Sequence, residues 1–183
     1  MRYFSLLLLS CLLLLLPQAK AAEAQHHLPA HLDTALTYVG TIEQGHNAGP
    51  EVSKFLSHVG LPVGNPYCAS FVSYDLDAAH VTLPTVRTPL ATRFITSRSV
   101  DARLVLRGAV SIPPGTIVIW RHGNSMFGHA GLVVSWHNQA GITVEANTTQ
   151  GPYAGARQGI WIRRRSIQPG NHFRIVAFTY VRY

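Results

Sequence analysis

The chain has 183 residues, of which 47% are hydrophobic and 13% are charged, and its formal net charge is +7 at neutral pH. This composition excludes a disordered chain, which has fewer apolar residues, and a collagen-like chain, which repeats glycine at every third position. The two cysteines are too few for a disulfide-rich scaffold or for a four-cysteine zinc site.

The first residues have the pattern of a secretory signal peptide. A basic residue at position 2 precedes an apolar run over residues 6–16, and alanines at positions 19 and 21 form an A-x-A cleavage site. The run is shorter than the ~20 residues that a membrane-spanning helix needs, so an uncleaved anchor is the less favoured alternative. We predict a signal peptide over residues 1–21, with an alternative cut after Ala24. Residues 22–183 are then a single domain that is exported to the periplasm or secreted.

Hydrophobic periodicity in the exported part predicts helices first and strands second. Helices are expected over residues 31–43, 50–59 and 65–80. Residues 81–114 carry four prolines in a mixed pattern and receive no assignment. Strands are expected over residues 116–120, 130–136, 142–148, 160–167 and 173–182. This order indicates an α+β domain with an antiparallel sheet.

Cys68 is the one cysteine that remains after the predicted cleavage. Asn65 can cap the third predicted helix and Pro66 suits its first turn, so Cys68 falls where backbone N–H groups lack partners within the helix. These groups and the helix dipole stabilise a thiolate and lower the pKa of a cysteine. We therefore expect a nucleophile at Cys68, and a small, inert core cysteine is the alternative.

A cysteine nucleophile needs a base and a third group that orients the base. His129 fits the base, because it opens a predicted strand between small residues. Glu145 and Asn147 lie two apart on the next strand and share a face, as orienting groups or as solvent-facing polar residues. We expect a hairpin loop of three or five residues centred on Asn138. That register places His129 opposite Asn147, with Glu145 diagonally near, whereas a four-residue loop separates them unless a bulge intervenes.

Three segments resemble the motifs of the CHAP domain, the cysteine- and histidine-dependent amidohydrolase/peptidase family. Residues 60–72 (GLPVGNPYCASFV) resemble its cysteine motif, residues 128–134 (GHAGLVV) its histidine motif and residues 144–148 (VEANT) its acid/amide motif. The order of the motifs agrees as well, and the resemblance covers most of residues 34–183. Tyr67 departs from the tryptophan of many members, and Gly115-Thr116 replaces the commoner Gly-Asp.

The resemblance implies a papain-like α+β fold, with N-terminal helices packed on a C-terminal antiparallel sheet. It also implies hydrolysis of an amide bond in peptidoglycan, as an N-acetylmuramoyl-L-alanine amidase or a peptide endopeptidase. Cys68 would attack the carbonyl as a thiolate, and its backbone N–H would be one oxyanion donor. His129 would move the proton, Glu145 would orient the imidazole and Asn147 would assist. The family requires no metal and no other cofactor.

Other residues near these motifs have less specific expectations. Asn65, Tyr67 and Gly128 adjoin the nucleophile and the base, and we expect them to contact substrate. The three arginines at residues 163–165 are expected at a partly exposed strand end, with contact to an anionic wall polymer as the alternative.

The basic charge favours polyanionic surroundings such as a cell wall, although solubility alone explains it equally well. We expect peptidoglycan as the partner, no nucleic acid, and no stable membrane insertion after cleavage. Two other functions stay open. One is a weakly catalytic module that binds the cell wall, and the other is an antibacterial toxin with an immunity partner. An activator protein is a further open partner.

Overall fold

The structure is a computed structural model that describes residues 27–81 and 87–183. The predicted signal peptide and its alternative cut lie outside the described residues. The helices of the described part are α1 (Ala30–Thr37), α2 (Pro50–His58), α3 (Cys68–Ala78) and α4 (Ala102–Leu106), with a short 3-10 helix at Ala91–Phe94. None of the helices in these two ranges is both long and apolar enough to cross a membrane.

The strands of the described part form one antiparallel sheet. They are β1 (Ser99–Asp101), β2 (Ile117–His122), β3 (Gly128–His137), β4 (Ala140–Thr149), β5 (Gln158–Ser166) and β6 (Phe173–Thr179). Their order across the sheet is β1-β6-β2-β3-β4-β5, so β2 to β5 are consecutive neighbours and β6 returns to lie between β1 and β2. The predicted α+β class is confirmed, and each predicted strand is present with its ends within three residues of the prediction.

Apolar side chains cover both faces of the sheet. Ile119 and Ala130 belong to a cluster shared with α1, α2 and α3, whereas Val118 and Val133 belong to a second cluster shared with α4. Neighbouring residues fall into different clusters because successive side chains of a strand point to opposite faces. Helix α3 packs between α1, α2 and β3. The helix that carries Cys68 is thereby held against the strand that carries His129.

The first helix is shorter than predicted and ends at Thr37 instead of residue 43. Gly40 has a φ of +95°, which takes the chain out of the helical conformation at little steric cost. Its N–H then donates to a carbonyl of β5, and Ile42 forms a bridge with Gly159. The segment after α1 therefore lies alongside β5 instead of continuing the helix.

The start of α3 also differs from the prediction. The helix begins at Cys68, and no side chain caps its N-terminus. The Asn65 amide donates instead to the carbonyl oxygen of Pro62 at 3.0 Å, and Pro66 lies before the helix. The capping role predicted for Asn65 is wrong because the chain enters the helix three residues later. The placement of Cys68 in the first turn is confirmed.

The region without a predicted assignment holds short elements in its described part. The 3-10 helix, the edge strand β1 and α4 all lie within residues 87–114. Asp101 caps α4 by accepting a hydrogen bond from the Arg103 backbone N–H at 2.7 Å. These elements were missed because each has five residues or fewer, which is too short for a periodic pattern.

Helix α3 buries two polar side chains that have no hydrogen-bond partner among the described residues. Both carboxylate oxygens of Asp75 are in this condition, and so is the Ser70 hydroxyl. Burial raises the pKa of Asp75 well above its usual value, although Lys54 lowers it in part. The fold therefore favours the neutral carboxylic acid at this position.

Candidate active site

Cys68 is the first residue of α3, and its side chain is only 7% exposed. The groups that act on the ionisation of this thiol are the His129 imidazole and the backbone N–H groups of Ala130 and Ala69. Burial raises the pKa of the Cys68 thiol, but the charge of His129, its hydrogen bond and the two N–H groups lower it by more. The net pKa lies below the ordinary value for cysteine, so the site favours a thiolate.

His129 occupies the start of β3, directly opposite Trp120 of β2. The two ring centroids are 5.1 Å apart, and the His129 side chain is 12% exposed. Its Nε2 lies 2.9 Å from Oε2 of Glu145. Burial lowers the pKa of His129, whereas the Cys68 thiolate and the Glu145 carboxylate raise it by more, to about 10. The imidazolium is therefore the stable form beside a thiolate.

Glu145 is fully buried on β4, and its carboxylate is shared among three partners. His129 is one partner, and the Thr143 hydroxyl donates to Oε1 at 2.6 Å. Arg165 of β5 donates from Nε to Oε1 at 2.8 Å and from its terminal nitrogen to Oε2 at 2.5 Å. Burial raises the pKa of Glu145, but Arg165 and His129 lower it by more, to about 2. Glu145 is thus ionised over the neutral range.

Arg165 was not among the predicted site residues. The sequence analysis instead expected residues 163–165 at a partly exposed strand end. Its neighbour Arg164 is exposed as expected, whereas the Arg165 side chain is only 28% exposed. The missing information was the register of β5 against β4. Register pairs Glu145 with Trp161, and Arg165 shares a strand face with Trp161. An arginine on the face of a buried glutamate is its natural counter-ion.

The hairpin between β3 and β4 reaches the predicted register by a different route. His137 pairs with Ala140, so the loop has two residues, and the prediction of three or five is wrong. A bulge at Val134 corrects the register, because Ser135 pairs with Ile142 but Val133 pairs with Thr143. The bulge returns the Glu145 side chain to the face of His129.

Gly131 makes room for the carboxylate between these strands. A Cβ atom at this position would lie 2.7 Å from Cγ of Glu145 and 2.9 Å from the carbonyl oxygen of Val144. Any side chain larger than glycine would therefore push Glu145 away from His129. Gly131, two residues after His129, is therefore needed for the contact between His129 and Glu145.

Asn147 lies in a second irregularity, in which β4 shifts its register against β5 between Glu145 and Thr148. Its φ of +56° is in the left-handed region, which asparagine tolerates better than most residues. The Asn147 amide donates to Oδ1 of Asn47 at 2.7 Å. Sequence reasoning missed Asn47. Within the described ranges, Asn147 makes no hydrogen bond to His129.

Asn47 connects Asn147 to the loop that leads into α3. The backbone N–H of Gly64 donates to the Asn47 carbonyl oxygen at 2.9 Å, and the Asn47 amide lies 3.4 Å from the Gly64 oxygen. Gly64 precedes Cys68 by four residues. Asn147 is therefore linked through Asn47 to the loop that leads to Cys68.

The three residues expected to contact substrate have different surroundings. Asn65 is partly exposed in the loop before α3. Tyr67 is fully buried, and burial together with the nearby Glu43 raises the pKa of its hydroxyl. Tyr67 therefore packs beneath the site and offers no exposed surface. A Cβ at Gly128 would lie 2.0 Å from the Trp120 carbonyl oxygen, so this glycine permits the close approach of β2 and β3.

Within residues 27–81 and 87–183, no three histidine, cysteine, aspartate or glutamate side chains come together as a metal site would require. The site has four charged side chains in a row: Cys68, His129, Glu145 and Arg165. Such a row can activate a sulfur nucleophile and hold the proton acceptor in place.

Comparison with known proteins gives no further assignment. No protein-family model matches the chain, and neither a curated protein nor a solved structure does so.

Proposed function

We propose that this protein is a thiol hydrolase that cleaves an amide bond in peptidoglycan, as an N-acetylmuramoyl-L-alanine amidase or a peptide endopeptidase. The observation that carries the proposal is the contact of His129 Nε2 with the buried Glu145 at 2.9 Å, together with the lowering of the pKa of the buried Cys68 thiol by His129. A structural cysteine in a protein core needs neither the base nor its orienting carboxylate. The substrate class follows from the CHAP-like motifs around Cys68, His129 and Glu145.

The first half of the reaction forms an acyl-enzyme. The Cys68 thiolate attacks the carbonyl carbon of the amide, and a carbon–sulfur bond forms as the carbonyl π electrons move to oxygen. The Cys68 backbone N–H is free of helical partners in the first turn and can donate to this oxyanion. The oxyanion collapses, the carbon–nitrogen bond breaks and the amine leaves with the proton of the His129 imidazolium.

The second half restores the enzyme. Neutral His129 removes a proton from water, and the hydroxide attacks the thioester carbonyl. The carbon–sulfur bond breaks, which releases the carboxylic acid and regenerates the thiolate beside the imidazolium. Glu145 stays ionised throughout and stabilises the imidazolium, and Arg165 keeps Glu145 ionised and in place.

The proposal includes a papain-like arrangement, in which α3 presents the nucleophile to a histidine on the adjacent antiparallel sheet. Its support is the packing of α3 against β3. It also includes export by the predicted signal peptide over residues 1–21, since peptidoglycan lies outside the cytoplasm.

Digestion of purified peptidoglycan tests the activity. We expect the wild-type protein to release soluble fragments and Cys68→Ala to release none, and the fragment masses identify the bond that is cut. Equal release by both proteins would remove Cys68 from the mechanism. No release by either folded protein, on several wall types, would favour a module that binds the wall without cleaving it.

Alkylation of Cys68 tests the activated thiolate separately from the substrate. Because the pKa of Cys68 is lowered, the wild-type thiol should react with iodoacetamide well below the pH at which free cysteine reacts. His129→Ala removes the main stabilising charge, so its reaction should shift to higher pH. His137→Ala is the matched control, since His137 is exposed at the other end of β3. A wild-type pH profile equal to that of free cysteine would contradict the activated thiolate.

A further inference from the structure

A cavity of about 230 Å³ opens beside His129, and it is lined by residues of β2, β5, β6 and the loop between β5 and β6. This is many times the ~15 Å³ that a single water molecule needs. Besides His129, the lining that matters here consists of three arginines and two aromatic residues: Arg164, Arg165, Arg174, Trp120 and Phe173. No aspartate or glutamate of the described ranges lines the cavity. A group that enters it therefore meets positive charge and no carboxylate from these residues.

The three arginines are not equivalent. Arg165 is committed to Glu145 through two hydrogen bonds. Arg164 makes no hydrogen bond or ion pair within the described part of the chain, and Arg174 donates one long hydrogen bond, 3.4 Å, to the Asn171 carbonyl oxygen. Two guanidinium groups at one cavity thus keep most of their donors unused. Each guanidinium presents a planar set of N–H donors that fits the two oxygens of a carboxylate.

Unpaired arginines on a strand are ordinary where they extend into solvent, and three features set these apart. They line one concave surface, Trp120 and Phe173 belong to the same lining, and so does the base of the proposed reaction. An anion held there lies beside His129. A substrate whose scissile amide reaches His129 can therefore place a charged group in the cavity.

We propose that this cavity is a subsite that binds a carboxylate of the peptide substrate close to the scissile amide, through Arg164 and Arg174. The inference rests on the proposed function and adds a substrate requirement to it. The protein then prefers peptides whose carboxylate next to the cleaved bond is free, and it discriminates against peptides in which that group is amidated.

Kinetics on a matched substrate pair test the subsite. The substrates are soluble disaccharide-peptides released from peptidoglycan by a muramidase, and the same fragments after carbodiimide-mediated amidation of their carboxylates. For the wild-type protein we expect KM to be about tenfold higher on the amidated fragments, because charge-assisted hydrogen bonds are lost. Arg164→Gln combined with Arg174→Gln should raise KM about tenfold on the free acids, leave kcat nearly unchanged and have little effect on the amidated fragments.

Two further variants make the comparison specific. Replacing both arginines by lysine keeps the charge but not the planar donors, so we expect KM between those of the wild type and the glutamine variant. Arg107→Gln removes an exposed arginine that does not line the cavity, and KM should stay at the wild-type value. Equal KM changes on both substrates, or no change on either, would overturn the subsite.

A binding measurement separates failure of the subsite from failure of the proposed function. Cys68→Ala binds fragments without cleaving them, and calorimetry should show about tenfold weaker binding when the two glutamine substitutions are added. If the wild type cleaves neither fragment, this difference still supports the subsite although the hydrolase proposal fails. Equal affinity for free and amidated fragments would overturn the subsite. The same calorimetry is done with a phosphodiester wall polymer. If the two glutamine substitutions weaken only the binding of this polymer, the subsite is overturned and the arginines are assigned to wall adhesion.

Discussion

The Glu145 carboxylate is fully buried, and it lies between two cationic side chains. Removing a carboxylate from water is costly unless its oxygens are paired, and here His129, Arg165 and Thr143 take up both oxygens. The carboxylate needs Arg165 because the imidazolium is itself committed to the Cys68 thiolate. Arg165 and His129 together therefore keep the Glu145 carboxylate ionised.

Arg165→Met is expected to damage both stability and activity. The buried Glu145 would lose two charge-assisted hydrogen bonds, and the free energy of unfolding should fall by about 2 kcal/mol, less than for a fully buried pair because Arg165 is partly exposed. The pKa of Glu145 would rise, so activity should be lost at a higher pH on the acid side than in the wild type. Urea unfolding and the pH profile of kcat measure the two effects.

Arg164→Met is the matched control for stability, because its guanidinium is exposed and has no ion pair within the described residues. Arg165→Lys should recover part of the acid-side activity. An Arg165→Met variant whose pH profile superimposes on that of the wild type would restrict Arg165 to a structural role.

At the scale of strands, the site depends on close approaches and irregularities more than on regular pairing. The bulge at Val134 turns the Glu145 side chain toward His129, and the irregularity at Asn147 turns its amide toward Asn47. Gly128 brings β3 against the Trp120 carbonyl. The two register shifts decide which way a side chain points, and the close approach at Gly128 decides how near two strands lie. The geometry of the site depends on all three features.

Gly128→Ala should therefore destabilise the fold and misplace His129. The new Cβ would lie 2.0 Å from the Trp120 oxygen, so the two strands must separate. We expect the free energy of unfolding to fall by about 2 kcal/mol, in the range of other substitutions that force overpacking, with a large loss of kcat.

Gly170→Ala is the comparison, because a Cβ there meets no atom within 4 Å and should change stability little. Urea unfolding of both variants checks the difference. Equal stability of the two variants would show that β2 and β3 can separate at little cost.

The elements that the sequence predicted well are those with long patterns, such as the alternation that marks β3 and β4. Cys68 and His129 could be predicted as nucleophile and base because they lie in recognisable motifs, and these roles stay predictions. Arg165 could not, since its role depends on strand register, which a single sequence specifies weakly. The bulge at Val134 carries no composition signal, and the capping prediction for Asn65 failed because loop geometry decides where a helix begins.

For the molecule as a whole, the buried Asp75 predicts a pH-dependent stability. Its pKa is raised in the folded state, so as pH rises past ~4 the unfolded chain loses the proton first. Stability from this group is present at acidic pH and falls until the pH reaches the folded-state pKa, by at most ~1.4 kcal/mol per pH unit. Asp75→Asn abolishes this slope. The free energy of unfolding of the variant, relative to that of the wild type, should therefore be higher at pH 8 than at pH 5.

Urea unfolding of the wild type and Asp75→Asn at both pH values measures the effect. Ser70→Ala is the control, because it removes a buried, unpartnered and non-ionising group from the same helix and should shift stability equally at both pH values. If the difference between wild type and Asp75→Asn is independent of pH, the pKa of Asp75 is not raised by folding, and the carboxyl ionises in the folded protein as it does in the unfolded chain.

The position of β6 has a consequence for how the chain reaches its native state. The strands that carry His129, Glu145 and Arg165 are consecutive neighbours, and they can pair as soon as they are made. Strand β2, however, has an unpaired edge until β6, the sixth strand of the described residues, inserts between it and β1. Closing the sheet joins segments distant in sequence, and such contacts slow folding. The sheet is therefore expected to close last at β6, when this strand pairs with both β1 and β2.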